Sequence, residues 1–266
     1  MRRLLGDQLE VDVAPEHGMT IVSVIHRQSG IDLLWRHPFN RVRTLPTQLG
    51  PGGSSSRQTF EEASFVGGWF VMVPNMGPVT DRIDMWFHGE GARRCWTQIA
   101  ESESSIVAQL KLASMPVTVL RSVALEGELI RVTTSLQNDG DEDVRVAAGE
   151  HPCFNVQGLG VSEFILGEST LSVPANPRVE HNMYEATGRA SFEASRIGQR
   201  VSLSWDSTSL PAVLTWRRGS AVLAIEPRSM RARSADSALD HEWRTIAPGE
   251  TFGWELQMVV HNLAAS

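Results

Sequence analysis

The residues Gly149-Glu150-His151-Pro152-Cys153-Phe154-Asn155-Val156-Gln157-Gly158 set a histidine where a strand pattern ends and place a proline directly behind it. Upstream, Leu129, Val132, Val144 and Val146 lie on either side of a turn at Asn138-Asp139-Gly140-Asp141, so a strand is expected to run into this segment. Proline has no N–H to give to a sheet ladder, and the strand is expected to stop at Pro152. The residue before a proline is driven toward extended backbone angles, which presents His151 in a fixed direction at a sheet edge or mouth. An imidazole has an unperturbed pKa of about 6.5, which suits an acid or a base near neutrality. A buried histidine satisfied by backbone groups fits the same pattern.

Outward from this segment, short β-like runs dominate. Ile21–Ile25, Val117–Leu120, Ile130–Thr134, Val201–Trp205 and Ala221–Ile225 are rich in β-branched residues and are separated by Gly, Asp, Asn and Ser turns. Glu126-Gly127-Glu128 and Asn138-Asp139-Gly140 have the composition of hairpin connections. Pro248-Gly249-Glu250-Thr251 reads as a turn feeding a last strand over Phe252–Val260. No apolar period of three and four is sustained over several helical turns. The expectation is an all-β protein of many antiparallel strands, a sandwich or open barrel, with residues 1–266 forming one domain. Gly50-Pro51-Gly52-Gly53-Ser54-Ser55-Ser56 is read as a surface loop after which strand patterns resume.

Bulk properties exclude several function classes. A net charge of -7 argues against nucleic-acid binding, which needs clustered Lys and Arg on phosphates. The two cysteines, Cys95 and Cys153, form no CxxC spacing and imply neither a disulfide framework nor a metal site. Arg2 and Arg3 are followed by no apolar run, so no secretory signal is expected, and no stretch is apolar enough to span a bilayer. The expected location is the cytoplasm, without a membrane partner.

Two further segments carry candidate chemistry. Gly67-Gly68-Trp69 leads to Pro74-Asn75-Met76-Gly77-Pro78, and His88-Gly89-Glu90-Gly91-Ala92-Arg93 leads to Cys95-Trp96. Paired glycines let backbone approach a ligand closely. Trp69, Trp86 and Trp96 offer flat apolar faces that suit a sugar ring, although each is also an ordinary core residue. His88 precedes a glycine at an expected strand end. In Leu223-Ala224-Ile225-Glu226-Pro227-Arg228, a carboxylate follows an apolar strand and precedes a proline, as His151 does. A half-buried acid there suits a general base; a strand-end glutamate paired with Arg228 is the structural alternative.

In order, Gly67-Gly68 through Pro74-Asn75-Met76-Gly77, His88 through Arg93 and Trp96, Leu125–Asp141 with its Asn and Gly turn, Gly149–Asn155, and Ile225-Glu226-Pro227 resemble the aldose 1-epimerase (galactose mutarotase-like) superfamily. They are similar to its "GG…P…G", "HGFAR…W" and "HPYFN" segments and its late glutamate strand. The resemblance covers nearly the whole chain. It implies a β-supersandwich of twisted antiparallel sheets with a sugar site, His151 as general acid, Glu226 as general base, and His88 as a polar contact to the sugar. Asn75, Arg93 and Trp69 are the other substrate-binding candidates carried by these segments. Three departures stand out. Cys153 replaces an aromatic residue, Glu90 replaces a phenylalanine, and Val66 stands where phosphohexose relatives have arginine.

The implied activity is cofactor-independent interconversion of the anomers of a hexose or modified hexose. One base on O1 and one acid on the ring oxygen suffice, with no metal and no redox cofactor. The expected partner is a small sugar, preferably not phosphorylated, and the expected state a monomer or weak homodimer. Arg228, Arg231 and Arg233 are read as a solvated run or as contacts to an anionic substrate. A non-catalytic carbohydrate-binding protein on the same fold is the alternative function. A third possibility uses His88, Glu90, His151 and Glu226 as metal ligands, with His88 and Glu90 on one strand face.

Overall fold

Along Val117–Glu126 every second residue is buried, so one face of the strand is apolar and the other faces water. The same alternation recurs in Leu129–Asn138 and Thr251–Asn262. It builds two large antiparallel sheets whose apolar faces meet. The computed structural model describes residues 1–50, 52–53, 56–78, 85–173, 179–185 and 187–263.

The first sheet runs in the order Arg2–Leu5, Leu9–Ala14, Thr20–His26, Trp69–Met72, Gly149–Phe154, Val222–Arg228, Ala212–Arg218 and Val179–Glu185, with Ile31–Asp32 added beside Thr20–His26. The second centres on Gln199–Trp205, Thr251–Asn262, Leu129–Asn138 and Val117–Glu126. This is the β-supersandwich anticipated from the sequence. The hairpin at Glu126–Glu128 is present, with Gly127 in the left-handed region at φ 65°. The turn at Asn138–Gly140 is not a hairpin. The strand after it, Val144–Val146, pairs with Arg244–Ile246, and the Asn138 amide donates to the carbonyls of Glu142 and Ile246. Of the Gly50–Ser56 loop, Pro51, Ser54 and Ser55 lie outside the described residues. A short helix, Ser56–Thr59, and a π-turn, Phe60–Ser64, follow it rather than a strand.

One member of the inward row of Val117–Glu126 is Arg121, which is wholly buried. A buried guanidinium must be paired. Its Nη1 and Nη2 donate to the two Glu150 carboxylate oxygens, at 2.6 and 2.9 Å. Trp69 and Trp254 donate their indole N–H groups to the same carboxylate, at 2.7 and 2.9 Å. Arg121 and Trp254 belong to the second sheet, Glu150 and Trp69 to the first. The network therefore ties the sheets together through the residue next to His151.

Pro152 does not end its strand. Gly149–Phe154 continues through it, with Pro152 opposite Trp69. Likewise Pro227 lies within Val222–Arg228, opposite Val213. These two central strands pair at Gly149/Arg228 and again at Cys153/Ala224 and Phe154/Leu223, on either side of the prolines. The missing proline N–H groups are accommodated where the two strands face each other between those points.

Candidate active site

That register determines the site. Antiparallel partners Gly149/Arg228 and Cys153/Ala224 put His151 opposite Glu226. Period-two alternation then sorts the side chains. Glu150 and Phe154 face the other sheet, while His151 and Cys153 share the outer face. On the neighbouring strand, Leu223 and Ile225 go to the main core, and Ala224, Glu226 and Arg228 go outward. His151 Nε2 consequently lies 3.2 Å from Glu226 Oε1. Arg228 Nη2 donates to Glu226 Oε2 at 2.9 Å. The three side chains are 4%, 2% and 1% exposed, so both contacts lie in a largely dry setting.

His151 is oriented from two more directions. Its ring stacks on Phe70, with centroids 4.4 Å apart and planes inclined by 18°. Its Nδ1 lies 3.2 Å from Cys153 Sγ. Burial holds the Cys153 thiol well above its ordinary pKa, and the Glu226 charge acts in the same direction, so the sulfur keeps its proton. An S–H donated to Nδ1 leaves the imidazole proton on Nε2, facing Glu226. Burial lowers the pKa of His151, while Glu226 opposes that shift.

His88 sits in a turn, not at a strand end, with φ 60°. The Gly77 N–H donates to its Nδ1 at 3.2 Å, which leaves the proton of the neutral ring on Nε2. Burial, and then the nearby His151, Arg228 and Arg57, hold it well below the usual histidine range. Its ring centroid is 5.5 Å from that of His151.

His88, His151 and Glu226 line one cavity of about 240 Å³, together with Phe60, Phe65, Phe87, His181, Leu214, Trp216, Arg57, Glu61, Arg228 and Arg233. Trp216 supplies the flat apolar wall. It stands on Ala212–Arg218, opposite Ala224 on one side and His181 on the other.

The other sequence candidates lie outside the lining of this cavity. Trp69 is fully buried on the core face and bonded to Glu150, so it offers no surface to a sugar; its neighbour Phe70 has the outward parity. Asn75 is also fully buried. Its amide donates to the carbonyls of Gly77 and Trp86 at 3.2 and 2.8 Å, bracing the loop that carries His88. Arg93 donates to the Ser56 carbonyl at 3.3 Å, and burial lowers its pKa to about 10. Trp86 and Trp96 donate to the carbonyls of Gly50 and Gly91 and are buried too. The paired glycines serve the fold rather than a ligand. A Cβ on Gly67 would lie 2.2 Å from the Trp35 carbonyl, and one on Gly68 would lie 2.5 Å from that of Ile21.

Glu90 turns away from His88. It accepts from the backbone N–H groups of Ala113 and Ser114 and pairs with Arg94 at 2.6 Å. The four-ligand metal arrangement is thereby excluded. Among the described residues, no group of three or more His, Cys, Asp or Glu side chains has metal-binding geometry.

No family model matches the sequence, and no curated protein matches it. Solved structures do match. A provisionally named aldose 1-epimerase from Escherichia coli K12 is 17% identical, with a TM-score of 0.74 over 98% of each chain. A Synechocystis sp. PCC 6803 protein is 16% identical, with a TM-score of 0.74 over 98% of this chain and 96% of that one. A galactose mutarotase related enzyme from Lactobacillus acidophilus is 16% identical, with a TM-score of 0.71 over 98% and 97%. The chain has the galactose mutarotase-like fold.

Proposed function

We propose that this protein is a cofactor-independent aldose 1-epimerase acting on a hexose or modified hexose. The observation that carries the proposal is the contact of His151 Nε2 with Glu226 Oε1, 3.2 Å, on the floor of a cavity with an aromatic wall. O1 and the ring oxygen of a hemiacetal are bonded to the same carbon. An acid and a base placed side by side can therefore serve both, with the sugar lying over the pair rather than between its members.

In the ring-opening step the Glu226 carboxylate takes the proton from O1. The C1–O1 bond becomes a carbonyl, the bond from C1 to the ring oxygen breaks, and the ring oxygen takes the Nε2 proton of the His151 imidazolium, which becomes neutral imidazole. Rotation about C1–C2 and the reverse transfers close the ring with the other face attacked. The pair ends with its protons where they began. Arg228 holds the Glu226 carboxylate in place through its hydrogen bond to Oε2, and His88 Nε2–H is a donor for a sugar oxygen. Each positioned proton-transfer group typically contributes about a hundredfold to ten-thousandfold.

A non-catalytic carbohydrate-binding protein would need the cavity but not the pair. Saturation-exchange NMR between the α and β anomer signals, over neutral, uronic, sulfonated and phosphorylated sugars, separates the two. Exchange above the spontaneous rate supports the epimerase, and binding without exchange supports the alternative.

A further inference from the structure

The arginines after Glu226 have three different fates. Arg228 is buried and paired with Glu226. Arg231 points elsewhere and pairs with Glu185, at 2.9 Å. Arg233 lines the cavity. Its side chain donates to the His181 carbonyl at 3.3 Å, and among the described residues it has no carboxylate partner. Its backbone is fixed as well, because Arg228 Nη1 donates to the carbonyls of Ala232 and Arg233 at 3.2 and 3.1 Å. The residue that holds the base thus also pins the loop that carries Arg233.

The cavity lining contains three guanidiniums, Arg57, Arg228 and Arg233, and two carboxylates, Glu61 and Glu226. Arg57 pairs with Glu61 at 2.8 Å and Arg228 with Glu226, so one cation is left over. Three imidazoles, of His88, His151 and His181, complete the polar lining. Such a balance is unlike the chain as a whole, whose net charge is -7. A guanidinium presents a planar fork of donors that matches carboxylate, sulfonate or phosphate oxygens.

Resting on the epimerase assignment, we propose that the cavity takes a sugar bearing an anionic substituent, and that Arg233, with Arg57 and His181 beside it, forms the subsite for that group. The anion completes the charge pairing of the lining. Trp216 faces the ring, and the His151–Glu226 pair meets the anomeric carbon. Val66 is not part of this subsite, since it packs in a small apolar cluster with Ala14 and Val22. The recognising group is therefore supplied by the late loop, not by the segment before the paired glycines. Arg57, Arg228, Arg233 and His181 all line this one cavity.

The test is isothermal titration of the full chain with glucose and galactose against glucuronate, galacturonate, 6-sulfo-6-deoxyglucose and the two hexose 6-phosphates. Anomer exchange is followed on the same set. At least one anionic sugar is expected to bind tenfold or more tightly than its neutral parent, about 1.4 kcal/mol. The carboxylate, sulfonate and phosphate arms identify which anion is used. In Arg233→Gln the preference should fall to within twofold, while Arg231→Gln, outside the cavity, should retain it. Absence of any anionic preference, absence of any binding, or a preference that survives Arg233→Gln overturns the proposal. Exchange of neutral sugars without anionic preference would leave the epimerase standing and remove the subsite. Anionic preference without exchange would do the reverse.

Discussion

His151 has three neighbours that each constrain a different property: Glu226 its proton, Cys153 its tautomer and Phe70 its plane. Its depressed pKa has a kinetic consequence. If imidazolium is the working acid, kcat/KM should fall as pH rises through a value below 6.5, the ordinary histidine value. A pH profile of anomer exchange checks this, and activity undiminished to pH 8 would show that the proton comes from elsewhere. Cys153 should be unreactive. Its thiol is buried with a raised pKa, whereas Cys95 is only partly buried. Brief alkylation of the native protein followed by mass spectrometry should label Cys95 first. Glu226→Gln has a structural cost that its near-isosteric shape does not reveal. The amide keeps an acceptor for Arg228 but removes the counterion of a buried guanidinium. Removing one partner of a buried pair costs up to about 3–5 kcal/mol, so the variant should unfold at lower urea even as it folds normally.

Within the strand Gly149–Phe154, alternation decides roles. Glu150 belongs to the core network and His151 to the cavity, and each depends on the other's position. Glu150→Gln leaves Arg121 buried without its counterion and should cost about 3–5 kcal/mol, read as a shift in the urea midpoint. Loss of exchange should accompany unfolding rather than precede it. The motifs around His151 and Glu226 were legible because each sits between an apolar run and a proline, and the two strands then set them opposite each other. The parity of Trp69 was not legible. Trp69, Phe70, Val71 and Met72 are all apolar and all buried, so no polar residue marks which face is outward. Only the pairing of Pro152 with Trp69 and of His151 with Phe70 resolves it. The prolines misled in a similar way. A proline argues against a central strand in isolation, yet two of them facing a lapse in one ladder are compatible with a continuous sheet.

Sheet order assembles what no single segment announces. His181 and Trp216 reach the cavity because Val179–Glu185 and Ala212–Arg218 continue the sheet beyond Glu226. Neither lies in a segment with a distinctive composition, and Arg57 comes from a helix too short to show a periodic pattern. The buried imidazoles also govern the stability of the whole chain. His88 and His151 have pKa values in the folded state below the unfolded value of 6.5. Between those values the unfolded chain binds more protons, so stability rises with pH. The contribution is present in full above about pH 6.5 and is lost as pH falls toward the folded values, by up to about 1.4 kcal/mol per pH unit for each histidine. Urea midpoints at pH 7.5 and 5.5 should therefore differ, with the lower at pH 5.5. His88→Asn, which keeps an acceptor for the Gly77 N–H, should flatten the dependence, and equal midpoints in the wild type would contradict it. The central claim is that His151 and Glu226 are an acid–base pair working on a hemiacetal. Saturation-exchange NMR of the anomer signals, run on wild type and Glu226→Gln with the same folded concentration and the same sugars, tests it most directly. The account predicts exchange above the spontaneous rate in the wild type and its loss in Glu226→Gln with sugar binding retained; undiminished exchange in the variant, or none in the wild type on any bound sugar, would contradict it.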